Sequence, residues 1–187
     1  DTVKCWGRNN YGQLGIGDVM TRGNIPGQMG DSLLAVSLGA GRKVTQLSVG
    51  SRHNCVILGY EVLKCWGRNN FGQLGIGSSA AQGDSSGEMG DALPTVGLGT
   101  GLKAKQVSAG LSNSCALLHD GRIKCWGSGW AGRLGSGSTA DRGIGANQMG
   151  DYLPAVDLGV GLTAVSVVVG PVNTCAILSN TALKCWG

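Results

Sequence analysis

Long apolar runs, runs of one charge and Asn-x-Ser/Thr sequons are all missing from this 187-residue sequence. Without an apolar stretch of membrane length, no helix here spans a bilayer, and no membrane partner is expected. Lys and Arg are spread through the chain, with a net charge of +4 and no basic stripe interleaved with aromatics, so a nucleic-acid partner has no support. Without sequons, N-linked sugar is left only the weak Asn113-Ser114-Cys115 and Asn173-Thr174-Cys175 variants. The two histidines, His53 and His119, hold unrelated positions and suggest no acid/base pair. No Cys-x2–4-Cys spacing occurs, so neither zinc nor any other metal or cofactor is expected. Gly is abundant, with 35 residues, but no Gly-X-Y period exists, which excludes collagen. No signal peptide is visible, and the chain opens on Asp1, so any leader is expected to be already removed.

What the sequence does have is a period. Lys4-Cys5-Trp6-Gly7-Arg8-Asn9-Asn10-Tyr11-Gly12-Gln13-Leu14-Gly15 returns as Lys64 to Gly75 with Phe71 for Tyr11. It returns again, altered, as Lys124-Cys125-Trp126-Gly127-Ser128-Gly129-Trp130-Ala131-Gly132-Arg133-Leu134-Gly135, and a fourth start is Lys184-Cys185-Trp186-Gly187. Fixed-period self-similarity marks a repeat architecture, whose units bury their apolar faces on their neighbours. The chain divides into repeats at 8–67, 68–127 and 128–187, with residues 1–7 as the last strand of a preceding blade. It opens and closes within a unit, which fits a piece of a longer array, or an open, assembled superhelix in which one chain's end completes the next chain's beginning.

Each repeat reads as four short strands. Ala35–Leu38 recurs as 95–98 and 155–158, with Pro94 and Pro154 at the strand start. After a Gly-x-Gly turn, Val44–Val49 recurs as 104–109 and 164–169. Cys55–Leu58 and Val62–Trp66 then form a hairpin, clearest in the third-to-fourth strand turn His119-Asp120-Gly121-Arg122, where Asp-Gly favours a tight turn. About 25 residues, Gly67 to Ala92, link one repeat to the next. The start and end of that link repeat, so it is packed; only 18–28, 78–88 and 138–148 differ. Unit-specific surface therefore lies there, with Met20, Arg22, Ile25 and Arg142 as partner-facing residues and Ser78, Ser79, Ser85, Ser86, Ser138 and Thr139 as candidate O-glycan sites on otherwise solvated loops. Trp6, Trp66, Trp126 and Trp186, with Leu14, Leu74 and Leu134, are the expected blade-packing residues.

Seven cysteines fall in register, each third-strand Cys ten residues ahead of its fourth-strand counterpart across a hairpin turn. Opposed residues on such strands sit about 4.5–5.5 Å apart, within disulfide reach. The pairs are Cys55–Cys65, Cys115–Cys125 and Cys175–Cys185, each contributing about 2–4 kcal/mol. The alternative is a buried reduced thiol acting as a small hydrophobe. Cys5 is left over, its partner belonging to a preceding repeat or a neighbouring chain. Paired Cys in every unit point to an oxidising compartment, hence an extracellular or cell-surface location.

These motifs, Val-Ser-x-Gly, then Cys-x-Leu/Ile-Leu, a turn, Cys-Trp-Gly and Gly-Gln-Leu-Gly, resemble the repeat of the regulator of chromosome condensation family over the whole chain. The resemblance implies an all-β fold of tandem four-stranded antiparallel blades, three 60-residue repeats of a β-propeller that usually has seven. It implies roles as varied as small-GTPase exchange, β-lactamase inhibition and light sensing, so fold does not choose among them. The family's His before the third strand is kept only at His53, with Asn113 and Asn173 in the other units. No inserted wedge for a GTPase stands out, and four of the five Trp are committed to the Cys-Trp-Gly motif rather than to a light-sensing cluster.

Other motifs carry less. Gly83-Asp84-Ser85-Ser86-Gly87 mimics a nucleophile elbow without the strand-to-helix context. Gly127 to Gly132 mimics a dinucleotide fingerprint but is a copy of the repeat motif. Asp31, Asp91 and Asp151 recur once per unit and suit turn-forming Asx residues better than calcium ligands. No catalytic constellation is visible, so a non-enzyme is expected. The leading functional reading is an extracellular structural scaffold self-assembling head to tail into a filament; the alternative is a protein-binding module of a closed propeller, and an exchange factor fits least.

Overall fold

In the computed structural model, which describes residues 2–187, nine strands form three antiparallel three-stranded sheets. Asp1, the first residue of the 1–7 segment, lies outside the described residues. The first sheet holds β1 (Val44–Val49), β2 (His53–Leu58) and β3 (Val62–Gly67). The second holds β4 (Ala104–Ala109), β5 (Asn113–Leu118) and β6 (Ile123–Gly127), and the third β7 (Ala164–Val169), β8 (Thr174–Leu178) and β9 (Leu183–Trp186). The hairpins between second and third strands turn at positive φ: Gly121 in the second sheet, Tyr60 and Glu61 in the first and Thr181 in the third. Among the described residues no helix is long and apolar enough to cross a membrane.

The expectation of four strands per blade needs one correction. Ala35–Leu38 and its copies are not strands of their own repeat's sheet. They touch the third strand of the preceding sheet through a single bridge, Lys4↔Ala35 or Lys64↔Thr95, and one further bond such as Val96 N–H to Leu63 C=O at 2.8 Å. Val96 and Leu98 are instead buried in the cluster that joins the first and second sheets. Packing, more than a ladder, holds this edge, and a short edge strand leaves little to pair with another chain. Each blade thus draws three strands from one repeat and its outer rim from the next.

Every first strand carries a register shift after its first residue, at Val44/Gln46, Ala104/Gln106 and Ala164/Ser166. A bulge of this kind re-aims the following side chains. Gln46 then grips the next blade's first strand: its Oε1 accepts from Val107 N–H at 2.9 Å and its Nε2 donates to Val107 C=O at 3.2 Å. Ser48 Oγ accepts from Ala109 N–H at 2.9 Å. Gln106 and Ser108 repeat both contacts on Val167 and Val169. In the third repeat these hooks become Ser166 and Val168.

Apolar clusters fill the spaces between sheets. Cys55, Ile57, Leu63, Cys65 and Leu74 meet Val107, Ala109, Ala116, Leu118 and Trp126; an equivalent set joins the second and third sheets. The disulfides Cys55–Cys65, Cys115–Cys125 and Cys175–Cys185 tie directly opposed residues with Cα atoms 4.1 Å apart, while Cys5 is free. The fold is an all-β array of propeller blades.

Candidate functional site

The Gly-Arg-Asn-Asn-aromatic-Gly loop is built around its first Asn. Asn69 is fully buried; its Oδ1 accepts from Leu74 N–H at 2.9 Å, and its Nδ2 donates to the carbonyls of Ser78 and Ala80 at 2.7 and 2.8 Å. Asn9 does the same for Leu14 and Asp18. With the loop so braced, the residues on either side of the Asn point outward. Gly72 packs against the backbone of Gly143 and Ile144, and Gly12 against that of Asp84. Both are at positive φ, and a Cβ at either would strike main chain of the next repeat.

One carbonyl per loop collects two donors from the next blade. Gln13 C=O accepts from Trp66 Nε1 at 3.1 Å and Asn54 Nδ2 at 2.6 Å. Gln73 C=O accepts from Trp126 Nε1 and Ser114 Oγ, and Arg133 C=O from Trp186 Nε1 and Thr174 Oγ1. Trp66 and Trp126 are fully buried and Trp186 half-buried, with Leu14, Leu74 and Leu134 buried beside these loops. Trp6 is exposed, whereas its three counterparts each donate to a carbonyl 53 residues earlier.

The braced loops and the turns between first and second strands share one end of the sheets, and there the side chains form a ladder. Arg68 N–H donates to Arg52 C=O at 2.8 Å, which sets the two arginines side by side. Both guanidinium carbons lie over the ring of Tyr11, from the preceding braced loop, at 5.4 Å for Arg52 and 5.0 Å for Arg68. Arg68 is also 5.5 Å from the centre of Phe71, and its Nε donates to Asn70 Oδ1 at 3.1 Å. Stacking on aromatic faces holds a planar guanidinium in place while leaving its outer N–H groups free. Among the described residues no carboxylate lies in ion-pair range of Arg8, Arg52 or Arg68.

The opposite end of the sheets is different. There Glu61 bridges Lys103 at 3.1 Å and His119 at 2.6 Å, and Asp120 pairs with Arg122, whose guanidinium hydrogen bonds hold that carboxyl below its usual range. Lys64 and Lys124, nearly buried, donate to the Gly90 and Gly150 carbonyls, and burial lowers both ammonium pKa values. Asp151 accepts from Thr100 N–H and Oγ1 at 2.8 Å, so it ties the Gly99-Thr100-Gly101 turn of the preceding repeat rather than a turn of its own. Hydrogen bonds from Thr100 lower its pKa.

The ladder is lost 60 residues on. Ser112, Ser128 and Ala131 stand at the positions equivalent to Arg52, Arg68 and Phe71. Trp130, 60 % exposed, lies over the Arg133 guanidinium at 5.0 Å, and Arg133 donates to the carbonyls of Trp130 and Pro171. Exposed Leu111 and Val172 occupy the strand turns of the same end. The surface therefore runs from cationic and aromatic to apolar.

Of the partner-facing residues expected in the variable loops, Met20 and Ile25 are exposed. Arg22 and Arg142 are half-buried; their backbones bridge to Gly7 and Gly127, and Arg22 pairs with Asp18 at 2.6 Å. Ser79, Ser85, Ser86, Ser138 and Thr139 are exposed; Ser78 is half-buried, its carbonyl held by Asn69. The ladder residues Tyr11, Arg52, Arg68 and Phe71 were not singled out in the sequence. The available signal was the joint loss of Arg, Arg and aromatic in the third copy. No cluster of metal-ligating side chains occurs among the described residues.

Comparison with known proteins agrees with this geometry. A family model described as the regulator of chromosome condensation (RCC1) repeat matches residues 2–57, and a second of the same description matches 44–73 and 104–129. The ultraviolet-B receptor UVR8 of Arabidopsis thaliana is 29 % identical over all of this chain, which spans 37 % of UVR8. Human WBSCR16 superposes with a TM-score of 0.70 at 18 % identity, over 97 % of this chain and 41 % of that structure. Yeast RCC1 (Prp20), solved bound to Kap60, gives 0.63 at 21 % identity, over 97 % of this chain and 38 % of its own. The chain spans well under half of each of these proteins. It belongs to the regulator of chromosome condensation repeat family.

Proposed function

We propose that this chain is a non-catalytic protein-recognition module whose docking surface is the end of the blades carrying Tyr11, Arg52, Arg68 and Phe71. The observation that carries this reading is Arg68, held between two aromatic rings with its outer donors unpaired. Lys64, Lys103, Arg122 and Lys124 are paired or capped by carbonyls, whereas the ladder arginines are presented on aromatic rings. The yeast relative bound to Kap60 supports a protein as partner. Three disulfides support an extracellular or cell-surface setting, where loop serines are open to O-glycans.

Self-association is the second reading. Its support is the unbroken 60-residue register, which packs each repeat on the next through the same contacts, Gln46 on Val107 and Gln106 on Val167. Head-to-tail contacts of this kind would build a filament.

Cross-linking mass spectrometry on the native protein in its source material tests the proposal. Cross-links from residues 8–11, 51–52 and 68–71 to one other protein are expected. Cross-links confined to the Leu47/Val49 and Val168/Ile177 flanks, between copies of this chain, would replace recognition with assembly.

A further inference from the structure

We infer that Arg52 and Arg68 together receive a carboxylate from an acidic segment of the partner, a step that rests on the docking-face reading above. Two like charges sit over one ring, at 5.4 and 5.0 Å from its centre, with backbones joined by a 2.8 Å hydrogen bond. Their mutual repulsion is not offset by any acidic side chain among the described residues. A bound anion would offset it. Arg52 also reaches the Tyr11 hydroxyl at 3.5 Å, so the phenol helps fix the fork.

Ligand geometry follows from which donors are used. Arg68 commits Nε to Asn70, leaving the Nη atoms at the rim. Planar forks with free Nη pairs match the two oxygens of a carboxylate, and stacked guanidiniums lose little freedom on binding. Tyr11 and Phe71, both half-buried, leave ring edges for the flanking side chains of the segment.

Phosphate has the same fork chemistry, so the surroundings decide. Residues 50–52 and 67–72 contain no lysine, and the surface beyond them is apolar, with Leu111, Trp130 and Val172 exposed. A nucleic-acid backbone needs a track of cations, whereas an acidic peptide with apolar residues fits two arginines beside a hydrophobic strip.

The test is calorimetric titration of the full chain with a hexaglutamate peptide, beside hexaglutamine, inorganic phosphate and a thymidine hexanucleotide. Hexaglutamate binding is expected, with no binding of hexaglutamine. The double variant Arg52→Ser, Arg68→Ser uses the residues found 60 positions on, Ser112 and Ser128, so its fold is retained. It should bind hexaglutamate at least tenfold more weakly. Arg68→Lys, which keeps the charge but not the fork, should fall between. Equal affinity in the double variant, or Arg-dependent binding of the oligonucleotide tighter than that of hexaglutamate, overturns the inference. Cross-links centred on the ladder alongside failure with hexaglutamate would leave the docking face standing and remove its acidic partner. Arg-dependent hexaglutamate binding with cross-links elsewhere would keep the anion site and remove the docking face.

Discussion

Trp126 and Gln73 join a blade to the loop before it: the indole Nε1 donates to the Gln73 carbonyl at 3.0 Å while Ser114 Oγ donates to the same oxygen at 2.9 Å. This two-donor joint occurs three times and locks each blade onto the loop before it. Trp126→Phe keeps most of the ring and removes one donor, so it should cost about 1 kcal/mol. Trp126→Ala also opens a void in a fully buried site and should cost about 3–5 kcal/mol. Urea denaturation with the disulfides intact measures both; equal costs would mean that the bond, and not the packing, dominates.

Gln106 should act through the same principle at the inner strands. Its amide satisfies both Val167 N–H and Val167 C=O, each at 3.0 Å. Gln106→Leu leaves two backbone groups without partners and should cost about 2 kcal/mol. Amide exchange at Val167 should speed up in this variant while exchange within the hairpin of β5 and β6 stays slow.

His53 makes stability depend on pH. It is wholly buried at the joint between the first two blades, with Nε2 2.8 Å from Ser114 Oγ, and burial lowers its pKa from 6.5 to about 4. Between those values the unfolded chain binds the proton and the folded chain does not. Its contribution is therefore full above pH 6.5, declines as pH falls towards about 4, and levels off below, a loss on the order of 3 kcal/mol. His53→Asn, the residue type found at Asn113 and Asn173, should flatten that slope in denaturation midpoints taken between pH 7.5 and 4.

Thiol counting separates Cys5 from the rest. The 187-residue chain on its own should show one reactive thiol, and seven after reduction and unfolding. Burial raises the Cys5 pKa, so alkylation of the native chain should need a higher pH than that of an exposed cysteine. Replacing Cys115 and Cys125 together by Ser should cost about 2–4 kcal/mol. A count above one in the unreduced protein would remove the three-bridge account.

Much of the fold was legible because its signals are local. The Asp120-Gly121 turn and the ten-residue cysteine spacing each act within one hairpin. The placement of Ala35–Leu38 was not legible, because nothing in those four residues says whether they pair forward or back; packing of Val36 and Leu38 decides it. The joints were hidden for a related reason. Gln46 bonds Val107 and Trp66 bonds Gln13, partners 61 and 53 residues away whose backbone groups leave no mark in the sequence. The ladder draws Tyr11 from one braced loop, Arg52 and Arg68 from the next strand turn and loop, and only the fold brings them together.

The most direct test of the docking face uses the equivalent positions later in the chain as a template. Tyr11→Ala, Arg52→Ser, Arg68→Ser and Phe71→Ala, made together, convert the ladder to residues the fold already carries at Ala131, Ser112 and Ser128. Affinity for the protein that cross-links to the native chain should be measured for both forms, with the melting temperature recorded alongside. A loss of at least a hundredfold in affinity, with three disulfides retained and little change in melting temperature, is the expected result. Undiminished affinity in the four-residue variant would contradict the account and place recognition elsewhere on the blades.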